Sequence, residues 1–381
     1  MSVLLKSKRL MASSRLARMA KSAEIVAGDD IPVPALEAFY EQMFPARANF
    51  LKRNWRWLYR TDSNTLLKSP IVMMKGEEVA GHVGTIPLTL RRGRDERTAA
   101  WLCDIAVLSQ YRGKALGAFL LTEAMARCPM RIGFPNDLSW RLISKFGWKD
   151  QAHTVGLSVL LHPEQHPKIK AKIQEGNASS HGYKAIAALA GMATRVIWRA
   201  RALSKERLSV VSATPEELAS FHEEKPLAVL HTVRSESFLD WRISAHPNVE
   251  EHFVLSLPVG HGSCSAIARI VEEDGCRRLH LLTLQVDPFD SGRLSSFLAG
   301  VIRWALDQRI DIISTVTSDP TMVQTIKWWL PVVRQLRYAY HADDVSGEDF
   351  LSKTGHMWEY IDGDFDLTYT TPEQNENSPC D

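Results

Sequence analysis

Apolar positions recur along the chain in two rhythms. Leu36, Phe39, Tyr40 and Met43 are spaced for one face of a helix over residues 31–50, and Pro34 suits its first turn. Strand patterning follows at Ile71–Met74 and, after a Lys75-Gly76-Glu77 turn, at Val79–Ile86. A further strand is predicted from Pro87 to Arg92 and a polar turn over Gly93–Arg97. Ala99–Val107 is long and mostly apolar, as a buried sheet centre requires. Helix Lys114–Arg127, strand Met130–Phe134, helix Ser139–Phe146 and strand Val155–Leu161 complete the series. Antiparallel strands entering a β-α-β-α-β tail predict a mixed α/β sheet.

Residues 164–208 read as a connector. Pro167 and the run Gly176-Asn177-Ala178-Ser179-Ser180 precede a basic helix predicted over Tyr183–Leu203. That helix is uncharged from Ala185 to Thr194 and then carries Arg195, Arg199 and Arg201. It suits a membrane surface, or docking between two halves. The first pattern then returns. Phe238-Leu239-Asp240-Trp241-Arg242-Ile243 with His246-Pro247 echoes Asn54-Trp55-Arg56-Trp57-Leu58-Tyr59 with Ser69-Pro70. Strands are predicted at Glu251–Leu257, Ser263–Glu272 and Arg278–Val286. Helix Ser291–Asp307, strand Asp311–Thr317 and helix Thr321–Leu330 follow. The repeat divides the chain into an extension (1–30), a first domain (31–163), the connector (164–208), a second domain (209–366) and a tail (367–381). Each domain is expected to be a mixed, partly antiparallel sheet with flanking helices.

Composition narrows the function classes. With 381 residues, 45% hydrophobic and 24% charged, the chain is an ordinary globular one. A net charge of +2 gives no global reason to bind nucleic acid. Five scattered cysteines (Cys103, Cys128, Cys264, Cys276, Cys380) lack metal-ligand spacing and fit reduced thiols in a cytoplasmic protein. No apolar run is long enough to span a bilayer. Lys6, Lys8, Arg9, Arg15, Arg18 and Lys21 precede the first acid, Glu24, which suits a transit peptide, a membrane-surface helix or a loosely docked extension.

The chemistry concentrates where the long strand ends. Asp104-Ile105-Ala106-Val107 runs into Ser109-Gln110-Tyr111-Arg112-Gly113-Lys114-Ala115-Leu116-Gly117-Ala118. A strand, a basic glycine turn and a helix start in that order make an anion site. Unpaired N–H groups and the helix dipole meet there, and Gly113, Ala115 and Gly117 allow close backbone approach. The layout points to a bound pyrophosphate. At the matching place of the second half stands Val286-Asp287-Pro288-Phe289-Asp290-Ser291, whose carboxylates would repel one.

These residues resemble the GNAT acyltransferase superfamily. Arg112-Gly113-Lys114-Ala115-Leu116-Gly117 matches its Arg/Gln-x-x-Gly-x-Gly/Ala motif with Ala115 at the central glycine, and Val107-Leu108-Ser109-Gln110-Tyr111 is similar to the lead-in, with Ser109 for proline. Gly81-His82-Val83-Gly84-Thr85-Ile86-Pro87, Gly133-Phe134-Pro135-Asn136, Ser139 and Phe146-Gly147-Trp148 extend the likeness to that of bacterial tandem proteins. It covers residues 40–160 well and 209–366 by layout only. The resemblance implies acetyl-CoA or another acyl-CoA as cofactor. Its pyrophosphate is expected on the backbone of Arg112–Ala118 and its pantetheine arm beside Ile105, Ala106 and Val107 like an added strand. The next strand is expected to splay away near Ile132–Phe134, with Asn136 and Ser139 on the far wall. Asn136 alternatively caps the helix that follows.

Direct transfer needs a neutral amine, an oxyanion donor and a proton path. The Val107 N–H is the candidate donor. Asp104, on an apolar strand where burial would raise its pKa, is the candidate general base; the alternative is a structural carboxylate paired with an Arg. His82 is a second candidate, the alternative being a satisfied strand histidine. Family enzymes often place a tyrosine acid where this chain has Ile143. Trp55, Arg56, Trp57, Trp241 and Arg242 line a cleft or pack a core. The expectation is an acyl-CoA-dependent N-acyltransferase acting on a small-molecule amine or amino sugar, with one working site. The alternatives are an inactive binding or regulatory protein and a carrier-protein-dependent N-acyl synthase.

Overall fold

The computed structural model describes residues 24–61, 67–112, 116–174, 178–202, 207–221, 229–259, 262–273, 275–287, 290–352 and 355–363. The basic extension through residue 23, the turn residues Gly113, Lys114 and Ala115, Cys380 and the tail from residue 364 lie outside them.

The first half supplies β1 (Glu24–Ala27), β2 (Ile71–Lys75), β3 (Glu78–Arg92), β4 (Asp95–Val107), β5 (Met130–Gly133) and β6 (Lys149–Leu160). The second supplies β7 (Ser209–Ser212), β8 (His231–Thr232), β9 (His252–Val259), β10 (Gly262–Glu273), β11 (Cys276–Asp287), β12 (Ile312–Thr317) and β13 (Val332–Ala342). Among the described residues all of them join one sheet, ordered β1-β2-β3-β4-β5-β13-β6-β12-β11-β10-β9-β7, with β8 beside β3. The mixed α/β character is as expected. The joining of the halves is not legible from their repeated order of elements.

Each half surrenders its last strand to the other. β13 lies between β5 and β6, antiparallel to both, and β6 in turn pairs antiparallel with β12. The arrangement has an approximate two-fold character: β4 and β5 are parallel, as are β11 and β12. The repeated tryptophans sit on that symmetry. Trp57 Nε1 donates to the Trp241 carbonyl (3.0 Å), and Trp241 Nε1 donates to the Trp57 carbonyl (2.9 Å). A single core contains Tyr40, Trp55 and Tyr59 from one half with Leu239, Trp241 and Ile267 from the other. Buried tryptophan is therefore structural here, the packing alternative of the two readings.

Several predicted boundaries move for identifiable reasons. The helix read over 31–50 is broken at Phe44-Pro45 into α1 (Val33–Met43) and α2 (Ala48–Leu58), because Pro45 has no N–H to continue the ladder. Pro87 does not start a new strand but lies within β3. β2 stops pairing at Ile71↔Val83, so among the described residues that edge of β3 meets no further strand until Leu90 faces Thr232, and a missing N–H is tolerated there. β13 is absent from the predicted elements although Leu336, Tyr338 and Tyr340 recur at period two, as on one face of a strand.

Two further helices follow these strands: α3 (Leu116–Ala126) after β4 and α4 (Asp137–Ile143) after β5. The connector forms α5 (Ala178–Arg201). In the second half α6 (Ser291–Asp307) and α7 (Pro320–Lys327) take the places of α3 and α4. Asp290, expected to repel a phosphate, caps α6 by accepting from Arg293 N at 2.9 Å.

Candidate active site

The site begins with a fault in the β3–β4 ladder. His82 pairs with Ala106 and Gly84 with Cys103, so β4 spends one more residue than β3 between the two pairs. Such a bulge re-aims side chains and increases twist. Asp104 lies in it with φ +49°, in the left-handed region that aspartate tolerates better than most residues. Its turned carbonyl accepts from His82 Nδ1 at 2.9 Å. Because a carbonyl only accepts, Nδ1 bears the proton. Nε2 is then an acceptor, and Tyr40 O–H donates to it at 3.3 Å.

The Asp104 carboxylate is held from two sides. Arg47 donates to Oδ1 at 2.5 Å, and Tyr59 O–H donates to Oδ2 at 2.9 Å. Arg47 comes from the short turn between α1 and α2, and Tyr59 from the residue after α2. Tyr59 reaches the carboxylate by lying flat on Gly84, where an added Cβ would stand 2.3 Å from Tyr59 Cε1.

The charges follow from these contacts. Burial pushes the Asp104 carboxyl up, but the Arg47 guanidinium, with His82 and Tyr59, outweighs it and holds the group below the ordinary carboxylate range. This corrects the expectation of a raised pKa: the carboxylate is ionised and a weak base, as its alternative, an Arg-paired carboxylate, describes. His82 is corrected too. It is fully buried, burial depresses its pKa, and both ring nitrogens are engaged by Asp104 and Tyr40. It is a fully buried strand histidine with both ring nitrogens satisfied.

In front of Asp104 the sheet opens. β4 and β5 pair only at Ala100↔Arg131 and Trp101↔Ile132 and then diverge. β4 is buried from Ala99 through Cys103 and half-exposed from Asp104 to Val107. Leu108 N donates to Ala80 O at 3.0 Å, so ladder alternation turns the Val107 N–H away from β3 and into the wedge. A cavity of about 250 Å³ fills the opening, walled by Phe44, Arg47 and Leu102–Ile105 on one side and by Gly133–Asn136, Ser139 and Trp148 on the other. Gly133 permits the narrow end, where a Cβ would lie 3.1 Å from the Leu102 carbonyl.

Of the residues singled out in the sequence, Asp104, Ile105, Asn136 and Ser139 share this cavity. Ala106 and Val107 continue the same strand edge toward the turn. Arg112 bends back, its Nε donating to the Val107 carbonyl at 3.0 Å. Leu116 is buried at the first turn of α3, and Gly117 and Ala118 follow it. Asn136 Oδ1 accepts from Ser139 N at 2.9 Å, so the capping role is the one it plays here. Arg47, Tyr59 and Tyr40 were missed by sequence reasoning. They lie 42 to 57 positions before the residues they bond, and no motif links them to Asp104 or His82.

The corresponding wedge of the second half is closed. β11 and β12 pair through Leu281↔Thr315 and then part. The chain around Trp358 and Glu359 enters the gap: Ser318 N donates to the Trp358 carbonyl at 3.0 Å, and Leu284 N donates to Glu359 Oε1 at 3.2 Å. Arg234 pairs with Glu359 and with Asp362 at 3.1 Å, neutralising the inserted carboxylates.

Residues 33–148 match the family model described as Acetyltransferase (GNAT) family. Among solved structures, the chain is similar to a GCN5-related N-acetyltransferase from Anabaena variabilis (14% identity, covering 85% of this chain and 74% of that one, TM-score 0.51). It is similar also to a GCN5-related N-acetyltransferase from Kribbella flavida (13%, 86% and 73%, 0.52). A third is Saccharomyces cerevisiae N-myristoyltransferase with bound myristoyl-CoA (12%, 84% and 82%, 0.53). At these identities the likeness is one of fold. No curated protein matches the chain.

Proposed function

We propose that the protein is an acyl-CoA-dependent N-acyltransferase with one working site, the wedge between β4 and β5. The observation that carries this reading is the opening beyond Trp101↔Ile132 beside a half-exposed strand edge, directly upstream of the basic turn. The edge and cavity suit a chain-like ligand with amides, because an unpaired strand edge offers alternating donors and acceptors. The match of residues 33–148 to the acetyltransferase family supports the same ligand class.

On this reading Ile105, Ala106 and Val107 hold the pantetheine arm. The backbone of Arg112, Gly113, Lys114, Ala115, Leu116, Gly117 and Ala118 takes the diphosphate, and Asn136 and Ser139 form the opposite wall. Bound acyl-CoA, acetyl-CoA being the simplest, supplies a thioester as the activated acyl donor. The Val107 N–H, turned into the wedge, is the preorganised donor for a developing oxyanion. Asp104 is a positioning residue: with Arg47, Tyr59 and His82 it fixes the bulge that aims the strand edge. With the Asp104 carboxylate paired and His82 buried, the acceptor amine would shed its proton to water, and water would protonate the CoA thiolate that leaves as the acyl C–S bond breaks.

The acceptor's approach is built from both halves. Phe134, Pro135 and Asn136 also border a depression of about 530 Å³ lined by Asp150 and Gln151 of β6 and by Arg334–Arg337 of β13. Its mixed charge suits a small polar amine, an amino sugar or an amino-acid-like molecule, acting in the cytoplasm. The second half is read as a related unit whose cofactor wedge is filled by its own chain. One observation favours an alternative, a ligand-binding protein without turnover: among the described residues lining the cavity, Asp104 is the only carboxylate, it is paired with Arg47, and no histidine is present.

The test has two arms. Calorimetry with acetyl-CoA and longer acyl-CoA thioesters should show saturable binding. Free-thiol release over an amine panel should then show turnover. Binding without release for any amine selects the alternative, and the absence of heat with every thioester overturns both.

A further inference from the structure

The connector helix presents its apolar residues to solvent. α5 runs for 24 residues, about 36 Å at the usual rise. Trp198 and Gly191 are buried and mark its inner face, where Trp198 Nε1 donates to the Leu160 carbonyl at 3.0 Å and its ring lies 5.9 Å from that of Trp329. Opposite, Ile186, Leu189, Met192, Val196 and Ile197 form a continuous stripe at helical spacing, each between 49% and 67% exposed. Two more large apolar side chains are exposed close to the helix end. Trp328 and Leu330 are 73% and 71% exposed, and Arg201 donates to the Trp328 carbonyl at 3.5 Å.

The charges beside this face have one sign. From Ala178 to Arg201 the helix holds no acidic residue. Exposed Arg199 and Arg201 flank the stripe on its two sides near the C-terminal end, and exposed Lys184 stands near the other end on the side of Gly191. Arg195 is turned inward to Glu164. A second copy docked stripe to stripe in parallel would set Arg199 and Arg201 of the two copies against each other, and an antiparallel copy would leave them without a countercharge on the partner helix, which holds no acidic residue. An anionic bilayer surface complements them: cations meet the headgroups, large aliphatic side chains enter the acyl boundary, and an exposed tryptophan suits the interface. No described helix is long and apolar enough to cross a membrane, so the helix would lie in the surface plane.

We propose that α5, with Trp328 and Leu330, is a docking face for anionic lipid membranes. It is independent of the acyl-transfer reading, since none of these residues borders the β4–β5 wedge.

The test is co-sedimentation of the full chain with phosphatidylcholine vesicles and with mixed phosphatidylcholine–phosphatidylglycerol vesicles, at low and high salt. Binding should require phosphatidylglycerol and weaken with salt. Two double variants at exposed positions, Leu189→Gln with Val196→Gln and Arg199→Glu with Arg201→Glu, are checked for folding by circular dichroism. Each should weaken binding by about tenfold or more. Equal binding to neutral vesicles, no binding, or unchanged binding in both folded variants would overturn the proposal. So would a concentration-dependent dimer in light scattering that the Leu189→Gln/Val196→Gln variant abolishes.

Discussion

Replacing Arg47 by Met tests the claim that a paired, ionised Asp104 organises the β4 bulge. The Asp104 side chain is 9% exposed and that of Arg47 25%. Removing one partner of a buried pair costs about 3–5 kcal/mol. The partial exposure of Arg47 brings the expectation to about 2–3 kcal/mol, allowing for solvent screening. Arg47 also lies 4.8 Å from the Phe44 ring centroid, so a single variant overcounts. A double-mutant cycle with Asp104→Asn removes that surplus. Asn retains the left-handed conformation and still accepts from Tyr59. The coupling should be at least about 1 kcal/mol in urea unfolding at pH 7. The pH dependence supplies a second check. In the native protein Asp104 titrates below its unfolded value, so its contribution is present at neutral pH and lost on acidification. In Arg47→Met, burial acts without the countercharge and raises the folded pKa, so protonation favours the folded state. The stability gap between the two proteins should therefore close as pH falls from 7 toward 4. Additive variants with a pH-independent gap would refute the electrostatic account of the bulge.

Gly84→Ala places a methyl against the Tyr59 ring and should cost about 1–3 kcal/mol, with a changed near-ultraviolet spectrum as the tyrosine is displaced. Trp57→Phe and Trp241→Phe should each cost about 1 kcal/mol by losing one of the reciprocal hydrogen bonds across the halves, measured by chemical denaturation; a cost confined to one of them would show the pair is not symmetric in energy. Burial and the nearby Arg131 lower the His341 pKa to about 4, and burial also depresses His82 and His246. The unfolded chain thus binds more protons between the ordinary histidine value and about 4, and stability should fall as pH drops through that window. His341 alone accounts for up to about 3 kcal/mol, and His341→Gln should flatten that part of the profile.

The local order of elements was legible from side-chain rhythm, because period 2 and period 3.6 are imposed by the backbone before any tertiary contact forms. The strand-turn-helix over residues 99–127, the helix over 291–307 and the repeat of Trp57 at Trp241 could all be read that way. So could the residues that share the cavity, Asp104, Ile105, Asn136 and Ser139, because they cluster around the ends of neighbouring strands. What tertiary structure alone decided depends on contacts between residues remote in sequence. Strand exchange places β13 between β5 and β6, and no local preference in Val332–Ala342 encodes which neighbours it takes. The state of Asp104 depends on the same kind of contact. Burial could be inferred from its apolar strand, but the guanidinium that reverses its effect arrives from position 47, and a charge at 2.5 Å outweighs desolvation that the strand pattern alone suggests. Likewise the second wedge is closed by residues around Glu359, whose carboxylate is tolerable there only because Arg234 is folded against it.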